Sequence, residues 1–324
     1  MPTVFVTREI PVKGIELLKA QGYEVDISSK EGVLTREELL SALKAKPYDA
    51  VLSLLTDKID KEVFEAVPTA KIFANYAVGF DNFNLADAKE KAVIITNTPG
   101  VLTDTVAEFA MSLIFAAAKR VVEADDFVRA GQYAGWAPMI FLGTELKGKT
   151  LGIIGTGRIG SRVAHHAVRG FDMKVAYYDV ARNEELEKEY GATFYSTVDE
   201  VMKIADAVSI HVPLLDSTKH LINAERLALM KPTAVLVNTS RGPVIDENVL
   251  VATLKAGKIR GAGLDVFEFE PKLVEGLKDL PNVILTPHIA SATEEARDAM
   301  AEIAAKNIIE VLEGRPALNP VAIA

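Results

Sequence analysis

The chain has 324 residues, of which 49% are hydrophobic and 25% charged, a composition typical of a globular protein large enough for two cores. Its formal net charge of −9 argues against nucleic acid as a partner, because binding phosphates requires a basic face. The lack of cysteine excludes disulfides, thiol nucleophiles and thiolate metal sites. The N-terminus does not resemble a signal peptide and no apolar run is long enough to span a membrane, so we expect a cytoplasmic protein.

Short apolar strands alternate with helical patterns along the chain. The predicted strands are 3–6, 24–27, 50–53 and 72–74 in a first series, and 151–154, 175–178, 207–211, 234–238, 261–264 and 283–285 in a second. This alternation is typical of α/β folds with parallel sheets. The sequence therefore predicts two doubly wound parallel-sheet domains, one Rossmann-type and one flavodoxin-like, with a cleft between them.

The segment between the two series predicts where one domain ends and the other begins. Thr105-Val-Ala-Glu108 has the spacing of a capping box, and the apolar helix predicted after it, 109–122, is typical of a helix buried between domains or subunits. A last helix, 291–312, is expected to pack on the first domain. The predicted bounds are 1–98 with 289–324 for a substrate (catalytic) domain and 99–288 for a dinucleotide-binding domain.

Gly155-Thr-Gly157-Arg-Ile-Gly160, the glycine turn, lies between a predicted strand and a predicted helix. Gly155 permits a tight turn, Gly157 lets the backbone approach a pyrophosphate, and Gly160 lets the helix pack against the strand. Nineteen residues later the next strand ends on Asp179, whose carboxylate can bind the ribose hydroxyls of a dinucleotide. This context favours a dinucleotide site over an ordinary glycine turn.

A second glycine-rich segment, Gly143-Thr-Glu-Leu-Lys-Gly-Lys-Thr150, matches the phosphate-loop pattern G-x-x-x-x-G-K-[ST]. A phosphate loop follows a strand and opens a helix, whereas this segment follows Pro138 and runs directly into a predicted strand. We interpret it as a linker.

Three successive strands of the second series end in polar residues. Arg241 follows the first of them, Asp265, Glu268 and Glu270 follow the next, and His288 follows the third. Arginine binds a carboxylate with two hydrogen bonds, and histidine can donate the proton that a new alkoxide needs. A carboxylate beside the histidine would keep its ring charged until a substrate arrives. The set fits hydride transfer to a 2-keto acid.

The other histidines leave the identity of the acid open. His211 also closes a strand, and spacing alone does not rank it below His288. His165, His166 and His220 lie in helix or loop stretches where the sequence shows no obvious partner. No grouping of His, Asp and Glu has metal-ligand spacing, so we expect no metal site.

Six segments in chain order carry a family resemblance: Asn75-Tyr-Ala-Val78-Gly79-Phe-Asp-Asn82, Asn97-Thr-Pro-Gly100, the glycine turn, Asn238-Thr-Ser-Arg241-Gly242, Gly263-Leu-Asp265-Val-Phe-Glu-Phe-Glu270-Pro271 and Thr286-Pro-His288. With them the chain resembles the D-isomer-specific 2-hydroxyacid dehydrogenases, and among these most of all the glyoxylate/hydroxypyruvate reductases. The resemblance implies a homodimer that uses NAD to reduce a small 2-keto acid, such as glyoxylate or hydroxypyruvate.

The resemblance also implies roles for individual residues. Arg241 would bind the substrate, His288 rather than His211 would be the acid/base, and Glu270 would be the partner of His288. The residues implied in cofactor binding are Thr105, Gly155, Gly157, Arg158, Ile159, Gly160, Asp179, His211, Pro213, Thr239 and, on the nicotinamide side, Asp265.

The same resemblance implies a substrate pocket. Leu54 or Leu55 would line it, and the N–H groups of Val78 and Gly79 would bind the substrate carboxylate. In the reductases an aromatic residue of the partner subunit often caps the pocket. Trp136 is the candidate here, although the Ala-Pro-Met-Ile that follows it departs from the aromatic-rich pattern of that branch.

Asp179 favours NAD over NADP, because a carboxylate at this position would repel a 2′-phosphate, although Arg182 could still reach one.

Two alternative functions stay open. One is a D-lactate dehydrogenase that acts on pyruvate, since a pocket separates substrates that differ by a methyl group by only about 1–3 kcal/mol. The other is a non-catalytic NAD-sensing regulator of the same fold. Glu270 argues against the formate dehydrogenases, which tend to have glutamine there.

Overall fold

The computed structural model describes residues 1–322. The chain divides into two compact units, Met1–Leu102 joined by the chain from Ala292 onward, and Thr103–Ser291. Within the described residues, the strands form a five-stranded sheet in the first unit and a seven-stranded sheet in the second, and the strands pair in parallel. This confirms the predicted α/β class. The ligand assigned to each unit, with the residue bounds, stays a prediction.

The strands are β1 (Thr3–Val6), β2 (Glu24–Ile27), β3 (Ala50–Ser53), β4 (Ile72–Asn75), β5 (Ile94–Thr96), β6 (Thr150–Ile154), β7 (Lys174–Tyr178), β8 (Thr193–Phe194), β9 (Ala207–Ile210), β10 (Val235–Asn238), β11 (Gly261–Leu264) and β12 (Val283–Leu285). The sheet orders are β2-β1-β3-β4-β5 and β12-β11-β10-β9-β6-β7-β8. The central strands are buried on both faces, which explains their continuous apolar sequences. In the second sheet the winding direction reverses between β6 and β9, which is where such sheets bind ligands.

The helices are α1 (Val12–Ala20), α2 (Arg36–Lys44), α3 (Lys61–Ala66), α4 (Leu85–Glu90), α5 (Thr103–Lys119), α6 (Val121–Arg129), α7 (Arg158–Phe171), α8 (Glu184–Tyr190), α9 (Val198–Ile204), α10 (Ala224–Leu227), α11 (Glu247–Lys255) and α12 (Glu294–Leu312). In the first unit α12 packs on α1, where a Cβ on Gly14 would lie 2.6 Å from the carbonyl oxygen of Ala301. None of the helices within residues 1–322 is long and apolar enough to cross a membrane.

The structure corrects the predicted entry to the second unit. The capping-box interpretation of Thr105 is wrong, because α5 begins at Thr103 and Thr105 already lies in its first turn. The predicted helix 109–122 is also divided, since Arg120 adopts a left-handed conformation (φ 58°) between α5 and α6. The strands β5 and β8 were not predicted. They have three and two residues, too few for a periodic pattern.

Candidate active site and dinucleotide turn

The glycine turn joins β6 to α7. Gly155 has a φ of +96°, in the left-handed region that favours glycine, and a Cβ on Gly160 would lie only 2.0 Å from the Gly155 carbonyl oxygen. A Cβ on Gly157 would meet no atom within 4 Å, so this position faces open space. Gly157 is also the N-cap residue of the 14-residue helix α7. An open approach to a helix N-terminus fits the pyrophosphate of a dinucleotide.

Asp179 follows β7 directly, beside the glycine turn. One oxygen of its carboxylate accepts hydrogen bonds from the N–H and the hydroxyl of Thr156, at 2.6 and 3.1 Å, and the other accepts the Val180 N–H at 2.7 Å. Arg182 makes a two-point ion pair with Glu187, and this pairing is the main reason that the pKa of Glu187 falls to about 2. The Asp179 carboxylate is therefore fixed beside the glycine turn, and the Arg182 guanidinium is already paired with Glu187.

Arg241, Glu270 and His288, the strand-end cluster, follow β10, β11 and β12, which are neighbours in the sheet. The Nδ1 of His288 lies 3.1 Å from one carboxylate oxygen of Glu270, and the other oxygen accepts the Phe267 N–H at 2.9 Å. Burial alone would raise the pKa of Glu270. The hydrogen bond and charge of His288, with smaller contributions from Phe267 and Arg241, hold that pKa below its usual value. The three residues thus form one electrostatic group.

Arg241 lies in a short turn that follows β10. The side-chain amide of Asn238 donates to the Arg241 carbonyl at 2.8 Å, and its oxygen accepts the Ser240 N–H at 3.0 Å. The guanidinium itself donates to the Ser240 carbonyl at 2.8 Å. Asn238, the last residue of a buried strand, therefore fixes the backbone that carries the guanidinium.

Asp265 fixes the turn that presents His288. Its fully buried carboxylate accepts hydrogen bonds from the Thr286 hydroxyl at 2.6 Å and from the N–H groups of Ile289 and Ala290 at 2.8 Å each. The backbone of His288 is left-handed (φ 56°), a conformation that costs energy for a residue with a side chain, and its N–H donates to the Asp265 carbonyl. The predicted contact of Asp265 with the nicotinamide side stays a prediction.

The predicted substrate residues of the first unit lie in loops. Asparagine side chains donate hydrogen bonds to the backbone carbonyls of these loops. Val78 and Gly79 follow β4. The Asn97 amide donates to the Val78 carbonyl at 2.7 Å, and the Asn75 amide donates to the Gly79 carbonyl at 2.9 Å. Both asparagines belong to the motifs on which the family resemblance depends, although their role could not be read from spacing.

Leu54 and Leu55 follow β3 in the same unit. The Leu54 N–H donates to the carboxylate of Asp57 at 2.8 Å, and the Asn82 amide donates to the Leu54 carbonyl at 3.2 Å. Asp57 also accepts the Thr7 hydroxyl at 2.5 Å, and burial raises its pKa. Hydrogen bonds to both the N–H and the carbonyl of Leu54 therefore fix this loop.

Three other predicted cofactor residues follow strands of the seven-stranded sheet at the same edge. His211 and Pro213 follow β9, and Thr239 follows β10. Burial lowers the pKa of His211 to about 4, so its ring is neutral at pH 7, and its Nε2 lies 2.8 Å from the Ser209 hydroxyl. The Thr239 hydroxyl is buried and has no hydrogen-bond partner within residues 1–322. An unpartnered hydroxyl here fits a polar group of the cofactor.

Two histidines without an obvious partner in the sequence have one in the structure. His165 Nδ1 lies 3.1 Å from the Tyr190 hydroxyl, and His220 Nε2 lies 2.6 Å from a carboxylate oxygen of Glu268. The ring of His166 is partly buried, which lowers its pKa. In the described part of the chain, no group of three or more His, Asp or Glu side chains is arranged to hold a metal ion.

The segment that matches the phosphate-loop pattern is a linker, as predicted. It ends at Thr150, where β6 begins, and α7 starts only at Arg158, after the glycine turn. Lys149 is therefore followed by a strand, and not by the N-terminus of a helix as in a phosphate loop.

Known proteins share this chain's sequence and fold. The family model described as "D-isomer specific 2-hydroxyacid dehydrogenase, NAD binding domain" matches residues 111–290. The glyoxylate reductase of Thermococcus litoralis is 49% identical over 317 residues, which cover 97% of this chain and 94% of that protein. The chain belongs to the D-isomer-specific 2-hydroxyacid dehydrogenases. It is therefore an oxidoreductase, and its NAD-binding domain contains the glycine turn and the strand-end cluster.

Another relative and two solved structures are also similar to this chain. The glyoxylate reductase of Pyrococcus furiosus is 49% identical, over 97% of this chain and 93% of that protein. The crystal structure of a Thermus thermophilus protein is similar with a TM-score of 0.92 and 40% identity, covering 99% of this chain and 100% of that one. An NADPH-dependent glyoxylate/hydroxypyruvate reductase of Sinorhizobium meliloti, solved with NADP and malonate, has a TM-score of 0.85 and 31% identity, covering 99% of this chain and 97% of that one.

Proposed function

We propose that this dehydrogenase reduces glyoxylate, hydroxypyruvate or a 2-keto acid of similar size to the D-2-hydroxy acid with NADH. The observation that carries the proposal is the His288–Glu270 pair, which shares one sheet edge with Arg241 and the glycine turn. The names of the two glyoxylate reductases to which this chain is similar support the choice of substrate.

Each residue of the strand-end cluster has a defined role in this reaction. Bound NADH supplies the hydride. Arg241 holds the substrate carboxylate and polarises the keto oxygen, because a guanidinium binds in two points and keeps its proton. His288 donates a proton from Nε2 to the developing alkoxide, while the Glu270 carboxylate on Nδ1 fixes the orientation of the ring. Microscopic reversal gives oxidation of the hydroxy acid, with His288 as the base.

We propose substrate-binding roles for residues of the first unit as well. The N–H groups of Val78 and Gly79 bind the substrate carboxylate, and Leu54 or Leu55 lines the pocket. The hydrogen bonds of their carbonyls to asparagine side chains support this assignment, since they leave the two loops with a defined shape.

We propose NAD rather than NADP as the preferred cofactor. The Asp179 carboxylate lies beside the glycine turn, where it would accept hydrogen bonds from the ribose and repel a 2′-phosphate. The pairing of Arg182 with Glu187 supports the same preference, because its guanidinium is already engaged by a carboxylate.

We propose that the enzyme is a homodimer. The segment around α6 exposes several large apolar side chains, among them Val128 (56% exposed), Trp136 (81%) and Met139 (75%). Exposed large apolar side chains concentrated in one segment are typical of a surface that another chain covers. Trp136 would then cap the substrate pocket of the partner subunit. Light scattering after gel filtration tests the dimer, and a monomer of 35.1 kDa would contradict it.

Steady-state kinetics with glyoxylate, hydroxypyruvate and pyruvate, each with NADH and NADPH, tests the reaction. The expected result is the highest kcat/KM with glyoxylate or hydroxypyruvate and NADH. A clear preference for pyruvate would make the enzyme a D-lactate dehydrogenase. Tight NADH binding without turnover of any of the three acids would favour a non-catalytic NAD-sensing regulator.

A further inference from the structure

Glu268 lies two residues before Glu270, and only 8% of its side chain is exposed. One of its carboxylate oxygens lies 2.6 Å from His220 Nε2, and the other accepts the Glu247 N–H at 3.2 Å. Glu247 is the first residue of α11, and its own carboxylate accepts the Glu268 N–H at 2.8 Å. The two glutamates therefore bind each other's backbone and fasten the segment before Glu270 to the first turn of α11.

The turn that carries Arg241 touches the same segment. A Cβ on Gly242 would lie 1.9 Å from the carbonyl carbon of Phe267 and 2.4 Å from the Glu268 nitrogen, so a side chain cannot be placed there without moving backbone. A displacement of residues 267–268 would therefore be transmitted both to Arg241 on one side and to Glu270 on the other.

His220 is the third contact of this segment, besides α11 and the turn that carries Arg241. Its backbone N–H donates to the carbonyl of Pro243 at 2.8 Å, and its backbone is left-handed (φ 50°). Glu247 is 1% exposed, and one of its carboxylate oxygens has no partner within residues 1–322. Buried carboxyl groups that are not fully satisfied cost stability, and they are more typical of functional sites than of packing.

We propose that Glu268 is a positioning residue of this active site. Held between α11 and the turn that carries Arg241, it fixes the segment that leads to Glu270, so that the Glu270 carboxylate meets Nδ1 of His288. The proposal rests on the function proposed above for Glu270 and His288. Glu268 itself touches neither the substrate nor the cofactor in this proposal.

Two variants of Glu268 and one control test it kinetically. Glu268→Ala is expected to lower kcat about 10- to 100-fold, because displacements near 1 Å in an active site can cost a factor of this size. The Kd for NADH is expected to stay unchanged. Glu268→Gln is expected to recover most of kcat, since its amide can accept the Glu247 N–H and donate to His220. Glu275→Ala, which removes an exposed glutamate seven residues further on, is expected to behave as wild type.

Proton NMR of the histidine rings tests the same proposal without turnover. The chain has five histidines, so the His288 signal can be assigned by its loss in His288→Ala. In Glu268→Ala the ring signals of both His220 and His288 are expected to shift. A shift of the His220 signal alone, with kcat unchanged, would overturn the proposal and leave Glu268 a structural residue.

The two proposals fail in distinguishable ways. If wild type reduces none of the three keto acids, or if His288→Ala keeps its turnover, the proposed function fails, while the His288 ring signal still decides the role of Glu268. If Glu268→Ala does not fold, His220→Ala removes one of the two anchors and is expected to shift the His288 signal in the same direction. An unshifted signal in that variant overturns the positioning role.

Discussion

The two halves of the seven-stranded sheet hold their functional residues by different means. At β6 and β7 the glycine turn depends on missing side chains: one glycine allows a left-handed backbone, one allows close packing, and Gly157 leaves open space. At β10, β11 and β12 the strand-end cluster depends on side chains that buried carboxylates hold in place. Asp265 secures the turn of His288, and Glu268 secures the segment of Glu270.

The two halves of the sheet therefore depend on different kinds of residues, local in one half and distant in the other. The glycine turn is specified by residues within one strand, one turn and one helix, so a single substitution changes either its fold or its affinity for a dinucleotide. The strand-end cluster joins residues far apart in the chain, such as His220 and Glu268, 48 positions apart. Substitutions there are expected to change catalysis more than cofactor binding.

The largest expected effect is the loss of the proton donor. His288→Ala is expected to lower kcat about 10²- to 10⁴-fold, the range typical of general acid catalysis, while the Kd for NADH measured by fluorescence stays within about twofold. His165→Ala, which removes a histidine of α7 in the same unit, is the matched control and should leave kcat unchanged. Turnover near the wild-type value in His288→Ala would refute its role as the acid.

Two glycines of the glycine turn are expected to affect different properties: Gly160 the free energy of unfolding, and Gly157 the affinity for NADH. In Gly160→Ala the new Cβ would collide with the Gly155 carbonyl, so we expect a loss of about 3 kcal/mol or more in the free energy of unfolding, measured with urea. In Gly157→Ala the Cβ meets open space, so stability should change by less than about 0.5 kcal/mol while NADH binds more weakly. Equal stability losses in the two variants would contradict this division of roles.

The predictability of the two halves follows from the same difference. The glycine turn and Asp179 could be found from the sequence because each requirement falls on a fixed spacing within two strands and a helix. The strand ends of Arg241 and His288 were also predictable, because parallel strands bring their carboxyl ends to one edge. The partner of Glu268 could not be found, since its contact with His220 depends on how a distant loop folds. The hydrogen bonds of Asp265 to the His288 turn could not be found either, since contacts with the N–H groups of Ile289 and Ala290 leave no sequence pattern.

The buried Glu247 makes the strand-end half sensitive to pH. Burial, and then the charges of Glu268 and Glu270, raise the pKa of Glu247 from 4.5 to about 7. Between these values the folded protein holds a proton that the unfolded chain releases, so the free energy of unfolding falls as the pH rises through this window. The full effect is about 3 kcal/mol. In Glu247→Gln this loss should disappear when urea unfolding is compared at pH 5 and pH 8, whereas Glu275→Gln should keep it. An unchanged pH dependence in Glu247→Gln would place the titrating group elsewhere.

The smallest expected effect concerns the cofactor half, where the fixed charge of Asp179 can be removed with little change of shape. In Asp179→Asn the amide oxygen can still accept the Thr156 N–H, whereas the amide nitrogen cannot accept the Val180 N–H, so the turn should lose its negative charge and one hydrogen bond. The ratio of kcat/KM with NADPH to that with NADH is then expected to rise about tenfold, or about 1.4 kcal/mol. Arg182→Ala serves as the comparison, because an exposed ion pair contributes little and the ratio should change less than about threefold. If Arg182→Ala instead changed the ratio more than Asp179→Asn, cofactor choice would depend on the exposed arginine rather than on the carboxylate at the end of β7.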